Sequence, residues 1–342
     1  MGPFRKTFFI TLGIFLSISL FWLYLLFFVP PSKTLLARVI YIKKGMPLWK
    51  ISEKLKEEGI IRNRYLFLGT AIILGKRAEI KAGEYELHTQ MLPLEVLDTL
   101  VKGQVKRHLI TIAEGYTLSQ IAQLLQDENI VEKDAFLQKA SSPVFISSLG
   151  LSNFAGPTLE GYLFPETYYL IKEMDPEEII QLMVQQFKKV FGPELENRAS
   201  QIGLSQKEAV ILASIIEKET PLPSERPLIS AVLHNRVKRK IPLQSDPTVI
   251  YGIKNFNGKL TKEDLMRPSP YNTYLIQGLP PTPICNPGKD SILAALYPAP
   301  VPYLYFVSKN DGSHYFSSEI EEHERAVWKY QRSPRKNNLT KK

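Results

Sequence analysis

The feature that most constrains this chain is an apolar run near its amino end. From Thr7 to Val29 there are 23 residues without a charge, dominated by Phe, Leu and Ile. As a helix rising about 1.5 Å per residue they span about 34 Å, enough for a hydrocarbon core of about 30 Å. Trp22 and Tyr24 lie near the far end, and Pro30-Pro31 stop the helix where it would leave a bilayer. A cleaved signal peptide is the competing reading. The run exceeds the roughly 7–15 residues of a signal core, and no small-x-small cleavage site follows it. The expectation is an uncleaved single-pass anchor over 7–29, with 1–6 as a cytoplasmic tail. Charge does not orient it, because Arg5 and Lys6 before the run face Lys33, Arg38, Lys43, Lys44 and Lys50 after it. No second run of such length appears, so residues 33–342 are expected on one face of the membrane.

The 342 residues suffice for two or three domains. One cysteine, Cys285, excludes an internal disulfide framework and any cysteine-built metal cluster, without fixing the compartment. The net charge of +9 could suggest nucleic acid. Six of those charges, however, fall in the last fourteen residues (Lys329, Arg332, Arg335, Lys336, Lys341, Lys342), and two more are Arg5 and Lys6. The body between is nearly neutral, a poor footprint for a polyphosphate, so no nucleic-acid partner is expected. Residues 331–342 read as a basic disordered tail.

Sliding the sequence on itself by 70 residues aligns Val39–Leu66 with Leu109–Phe136, with eight of 28 pairs identical, among them Gly45/Gly115, Leu48/Leu118, Ile51/Ile121 and Leu55/Leu125. Each copy reads as a short strand, a turn at the glycine, then an amphipathic helix. Two copies over 38–136 suggest a binding module rather than a solenoid, which usually needs three or more. Ala140–Thr158, rich in Ser, Pro and Gly, reads as a loop and domain boundary.

Ser205-Gln-Lys-Glu208 fits a capping box, and Ala209–Ile216 is apolar almost all round, so this helix belongs in a core. It delivers Glu217-Lys218-Glu219 just before Pro221. An apolar helix, the negative end of its dipole and a second carboxylate two residues away all disfavour ionisation. A carboxyl protonated near neutrality is what a general acid requires. The bland alternative is a frayed last turn with both acids in water and Lys218 pairing one of them. Ser245–Gly252, Tyr271–Tyr274 and Gly278–Ile284 then concentrate hydroxyls, amides, aromatic rings and prolines. That lining suits a polyhydroxylated, N-acetylated ligand, and no Gly-rich loop leads into a helix to hold phosphate. Proline-dense loops are preformed, which lowers the ordering cost of binding.

Several long motifs now stand in order: Ile211-Leu-Ala-Ser-Ile-Ile-Glu-Lys-Glu-Thr220, Ser224-Glu-Arg226, Asn235-Arg236, Leu243-Gln-Ser-Asp-Pro-Thr-Val-Ile-Tyr-Gly252, Tyr271-Asn-Thr-Tyr274, Gly278-Leu-Pro-Pro281, Tyr303-Leu-Tyr-Phe-Val307 and Glu322-His323. Together they resemble the YceG/MltG family of endolytic murein transglycosylases, from the apolar run to about Tyr330, and the first β–α copy resembles a LysM-like segment. The resemblance implies a bacterial inner-membrane lyase with its catalytic domain outside the cytoplasm. Such an enzyme cuts the MurNAc-β-1,4-GlcNAc bond within peptidoglycan strands, leaves 1,6-anhydroMurNAc ends, needs neither cofactor nor metal, and is expected beside peptidoglycan synthases. The family's catalytic glutamate falls on Glu217. Residue chemistry by itself supports an acid here without separating Glu217 from Glu219. Gln244, Asp246, Tyr271, Asn272 and Tyr274 are expected to line the glycan cleft, Asp246 either orienting the acetamido group or capping a turn. Departures from the family pattern are Thr282 and Cys285, where smaller residues are expected, and Glu324, where Asn is expected.

The implied fold is α+β: a membrane helix, a LysM-like β–α subdomain, then a mixed catalytic domain over 150–330. Rival functions fare less well. The five histidines show no ligand spacing, and Ser333-Pro-Arg-Lys336 matches a serine-acyltransferase pattern only by letter, in the basic tail. A lysozyme-like hydrolase would use the same acid with water as acceptor and Asp246 as second carboxylate. A non-enzymatic wall-binding scaffold would rely on residues 38–136.

Overall fold

Helix α1 (Pro3–Phe28) carries the apolar run. The computed structural model describes residues 3–333 apart from 152, 153 and 155. The 18-residue stretch Thr7–Tyr24 is long and apolar enough to cross a membrane, and none of it is buried against the rest of the protein. Phe8, Phe15, Leu16 and Phe21 are all exposed.

Beyond α1 the chain forms two units, Met1–Leu109 with Tyr169–Glu173, and Ile110–Tyr168 with Met174–Lys342. In the first, β1 (Ala37–Ile42) leads through the left-handed Gly45 (φ 78°) into α2 (Leu48–Glu57) and α3 (Arg64–Ile73). β2 (Gly83–His88) then returns antiparallel to β1, with Ile40 opposite Tyr85, and α4 (Pro93–Lys102) follows. The glycine is needed because a Cβ at positive φ is strained. Ile40, Ile42, Ile51, Leu55, Tyr85, Leu87 and Leu100 form the core of this β–α–α–β unit.

The second copy of the repeat folds alike. β3 (His108–Thr111) turns at Gly115 (φ 77°) into α5 (Leu118–Asp127), then α6 (Lys133–Ala140). Leu118, Ile121, Ala122 and Leu125 are buried where Leu48, Ile51, Ser52 and Leu55 are buried in the first copy. β3 pairs with β4 (Thr167–Leu170), so this copy too recruits a returning strand. The division between the two units falls between Leu109 and Ile110, inside β3. Each copy completes its sheet with its own later strand rather than with the other copy. The expected loop over 140–158 also contains a helix, α7 (Pro143–Ser148). Ser142 accepts a bond from the Phe145 amide and Pro143 takes the first helical position, where its missing N–H costs nothing.

The remainder is built around α10 (Gln206–Glu219), preceded by α8 (Pro176–Val190) and α9 (Pro193–Gln201). The capping box forms as its sequence predicts: Ser205 Oγ accepts from the Glu208 amide at 3.2 Å, and Glu208 accepts from the Ser205 amide at 2.8 Å. Ala209–Ile216 are all buried. α10 packs against α11 (Arg226–Lys238) and α14 (Lys289–Leu296), with α12 (Asp246–Tyr251) and α13 (Lys262–Met266) between them in sequence. A hairpin of β5 (Tyr305–Ser308) and β6 (His314–Ser317), with Ser308 opposite His314, and α15 (Ile320–Val327) complete the unit. Three separate two-stranded sheets among many helices make the architecture α+β. The predicted basic tail lies, from residue 334 on, outside the described residues.

Candidate active site

Two carboxylates leave the end of α10, and their surroundings differ. Glu217 is neutralised: Arg226 donates to one of its oxygens at 3.1 Å and the Gly288 amide to the other at 2.9 Å. That pairing gives a buried acid a cation and a backbone donor. Glu219, half a turn further on, accepts a hydrogen bond from Ser245 Oγ and has no cationic partner among the described residues. Burial is the main cause that lifts its carboxyl to about 7; the nearby Asp246 charge adds to the rise and the Ser245 bond opposes it.

Glu219 opens onto a cleft of about 460 Å³. Gln244, Asp246 and Tyr274 line it with Glu219, three of the five residues expected there. The Tyr274 hydroxyl donates to Asp246 Oδ1 at 2.6 Å, and its pKa lies well above the ordinary tyrosine value through burial and that bond. Asp246 therefore orients a phenol at the mouth of α12. Gln244 sits at φ 51°, a left-handed conformation for a residue with a Cβ, held by a bond from its amide to the Thr273 carbonyl at 3.0 Å.

The other two expected residues do not reach the cleft. Asn272 is fully buried, donating to the carbonyls of Leu265 and Arg267 and accepting from the Tyr274 amide. It is a turn clamp that sets the position of Tyr274. Tyr271 bonds Thr282 at 2.7 Å and packs edge-on against Tyr251. The Gly278–Pro281 loop, also expected beside the ligand, lines a separate groove with Leu204, Lys207, His234 and Val237. A composition rich in hydroxyls and rings does not by itself say which members face out.

Sequence reasoning missed the opposite wall. Arg236 from α11, Phe306, Ser308 and His314 from the hairpin, and His323 from α15 complete the lining. His314 is held firmly: its Nδ1 meets Glu225 at 2.7 Å, its amide donates to the same carboxylate at 2.8 Å, and Thr220 Oγ1 reaches that carboxylate too, at 3.3 Å. The residue next to Glu219 is thus tied through Glu225 to the hairpin. Arg236 and His323 stand in the motifs Asn235-Arg236 and Glu322-His323, and that was the signal available for them. A further carboxyl, Glu160, is raised to about 7 by burial but lies outside the cleft, accepting from the Leu118 amide, Asn286 and Tyr251. Among the described residues no group of His, Cys, Asp and Glu is arranged to hold a metal ion.

The sequence profile of the YceG-like family matches residues 40–329, which include every residue of the cleft except Gln331. The chain belongs to the YceG-like family. A Bacillus subtilis (strain 168) relative named endolytic murein transglycosylase is 33% identical over 308 residues, covering 85% of this chain and 84% of the relative. A Streptococcus pneumoniae protein of the same name is 31% identical over 315 residues, covering 84% of this chain and 57% of that protein. The crystal structure of a putative YceG-like protein from Listeria monocytogenes covers 86% of this chain and all of its own, at 32% identity and a TM-score of 0.58.

Proposed function

We propose that this protein is a membrane-anchored endolytic murein transglycosylase with Glu219, rather than Glu217, as its acid. The observation that carries the reading is a carboxyl held near pKa 7 on the wall of an open cleft, in a chain whose relatives bear that name. Protonated Glu219 gives its proton to the glycosidic oxygen as the bond to the muramic C1 breaks. The substrate's own 2-acetamido oxygen stabilises the positive charge that develops at C1, so no protein nucleophile is required. Glu219, now a carboxylate, takes the proton of the C6 hydroxyl, whose oxygen closes onto C1 as the 1,6-anhydro ring. Intramolecular attack has a high effective concentration, which disfavours water. Asp246, oriented by Tyr274, is placed to hold the acetamido N–H.

The anchor α1 would keep this chemistry at the outer face of the bacterial inner membrane, close to where strands are polymerised and to the synthases that make them. The β–α–α–β arrangement of the first unit supports a LysM-like role in holding glycan. The lysozyme-like alternative rests on Asp246, a second carboxylate in the same cleft, which could activate water.

Mass spectrometry of glycan strands treated with the full chain in detergent decides between them. Products lighter by one water per cut than hydrolysis products, lost in Glu219→Gln and retained in Glu217→Gln, support the transglycosylase with Glu219 as acid. Reducing ends make it a hydrolase, and loss only in Glu217→Gln returns the acid to Glu217.

A further inference from the structure

Among the described residues, Arg236 is a cation without a carboxylate partner. It is only 7% exposed, and buried charges are ordinarily paired. Its Nε donates to the Leu304 carbonyl at 2.7 Å, and its Nη1 to the carbonyls of Pro242 and Leu243 and to Gln244 Oε1 at 2.9, 3.1 and 3.0 Å. Those bonds use Nε and Nη1 to staple α11 to two loops. Among the described residues Nη2, with two donors, has no acceptor, and none of the Arg236 bonds goes to a carboxylate. The Tyr305 ring lies 5.2 Å from the guanidinium carbon and supports the charge without neutralising it.

The two acids of the cleft do not fill that role. Glu219, its carboxyl raised to about 7, is only partly ionised near neutral pH, and Asp246 Oδ1 is engaged by Tyr274. Tyr274 feels the charges of Glu219, Asp246 and Arg236 together, so the guanidinium stands near the acid rather than at a remote end. His323 stacks on Tyr305 at 5.1 Å on the same wall, and its buried Nδ1 also has no partner.

We infer that Arg236, backed by Tyr305 and His323, forms a subsite for a carboxylate carried on the glycan beside the scissile bond. Its free Nη2 presents two N–H donors and an unpaired positive charge, which suit a carboxylate oxygen. On a muramic-acid strand that carboxylate is either the 3-O-lactyl group of a stem-free sugar or an acid of an attached peptide stem. The subsite would select a muramyl residue over a plain N-acetylglucosamine at this position, and so would fix which bond meets Glu219. This inference rests on the transglycosylase reading for its substrate class, but its test does not depend on cleavage.

The test is calorimetric binding to the full chain in detergent, carrying Glu219→Gln so that ligand stays intact. The ligands are short GlcNAc–MurNAc strands, stem-free or stem-bearing, each with free carboxylates or with those groups converted to neutral carboxamides. Removing the charge is expected to weaken binding about tenfold or more, as for a charge-assisted hydrogen bond in a shielded site. Arg236→Gln should erase the difference between acid and amide, and His323→Gln should reduce it. A difference confined to stem-free strands identifies the lactyl group, and one confined to stem-bearing strands identifies the peptide. Arg236→Gln strips donors from three carbonyls and can fail to fold. In that case, added salt weakening the acid but not the amide with Arg236 intact carries the proposal. Equal binding of acid and amide in both strand types overturns it. If the wild-type chain leaves every strand uncut while the preference persists, the cleavage reading fails and the subsite stands.

Discussion

At the scale of single residues, the end of α10 shows how a two-residue step separates two identical side chains. Glu217 is paired with Arg226 and the Gly288 amide, while Glu219 lines the cleft and accepts from Ser245. Glu217→Gln should therefore act mainly on stability, lowering the melting temperature, whereas Glu219→Gln should lower cleavage by about a thousandfold or more, read from product formation. The pH profile follows from the same carboxyl. With a pKa of about 7, the acid form is full below that value and declines as pH rises through it, so kcat/KM should fall on the alkaline side. Ser245 lowers this pKa and Asp246 raises it. Ser245→Ala should move the alkaline limb to higher pH and Asp246→Asn to lower pH; profiles that shift together, or not at all, would remove Glu219 from the acid's role. Glu160 gives a stability signature instead. Its folded pKa, about 7, is above the ordinary carboxyl value, so the neutral form is favoured by folding. That stability is complete below about pH 4.5 and is lost as pH rises through 7, a change of about 3 kcal/mol. In thermal melts, Glu160→Gln should gain on wild type as pH goes from 5 to about 8.

At the scale of elements, α10 is specified twice over, by a capping box at its start and by an apolar surface that only a packed core can accept. Ser205→Ala removes the acceptor of the Glu208 amide and should lower stability by about 1 kcal/mol, seen as a drop in melting temperature with little change in kcat. The repeat makes a paired test. Leu55 and Leu125 are both fully buried and occupy corresponding positions 70 residues apart. Leu55→Ala and Leu125→Ala should each cost about 2–5 kcal/mol, measured by denaturant titration, because each copy has its own core to vacate. The periodicity of α2 and α5 was plain in the sequence. That β1 pairs with β2 and β3 with β4 was not, because pairing across 41 or more residues leaves no local pattern. Helix α7 hid inside a Ser- and Pro-rich stretch, where the same residues that favour a loop also make a good helix start.

At the scale of the whole molecule, the apolar helix α1 and two folded units share one chain. If α1 anchors the protein, the full chain should partition with membranes, resist extraction by salt and be released by detergent. Fusing alkaline phosphatase, which is active only outside the cytoplasm, after residue 333 should give active enzyme; an inactive fusion would place the cleft on the cytoplasmic side and end the proposed access to the wall.

What the sequence determined by itself are the features written in local order: an apolar run long enough to span a bilayer, two β–α copies in register, a capped core helix ending in acids, and the motifs of the family. Periodicity and capping act over a few residues, so they survive in one dimension. Which acid faces the cleft, that Asn272 clamps a turn while Tyr274 meets Asp246, and that Arg236, His314 and His323 converge from α11, the hairpin and α15, only the tertiary structure decided. Those assignments depend on which side of an element is covered by a neighbour distant in the chain. Burial and pairing then set the charge on each group.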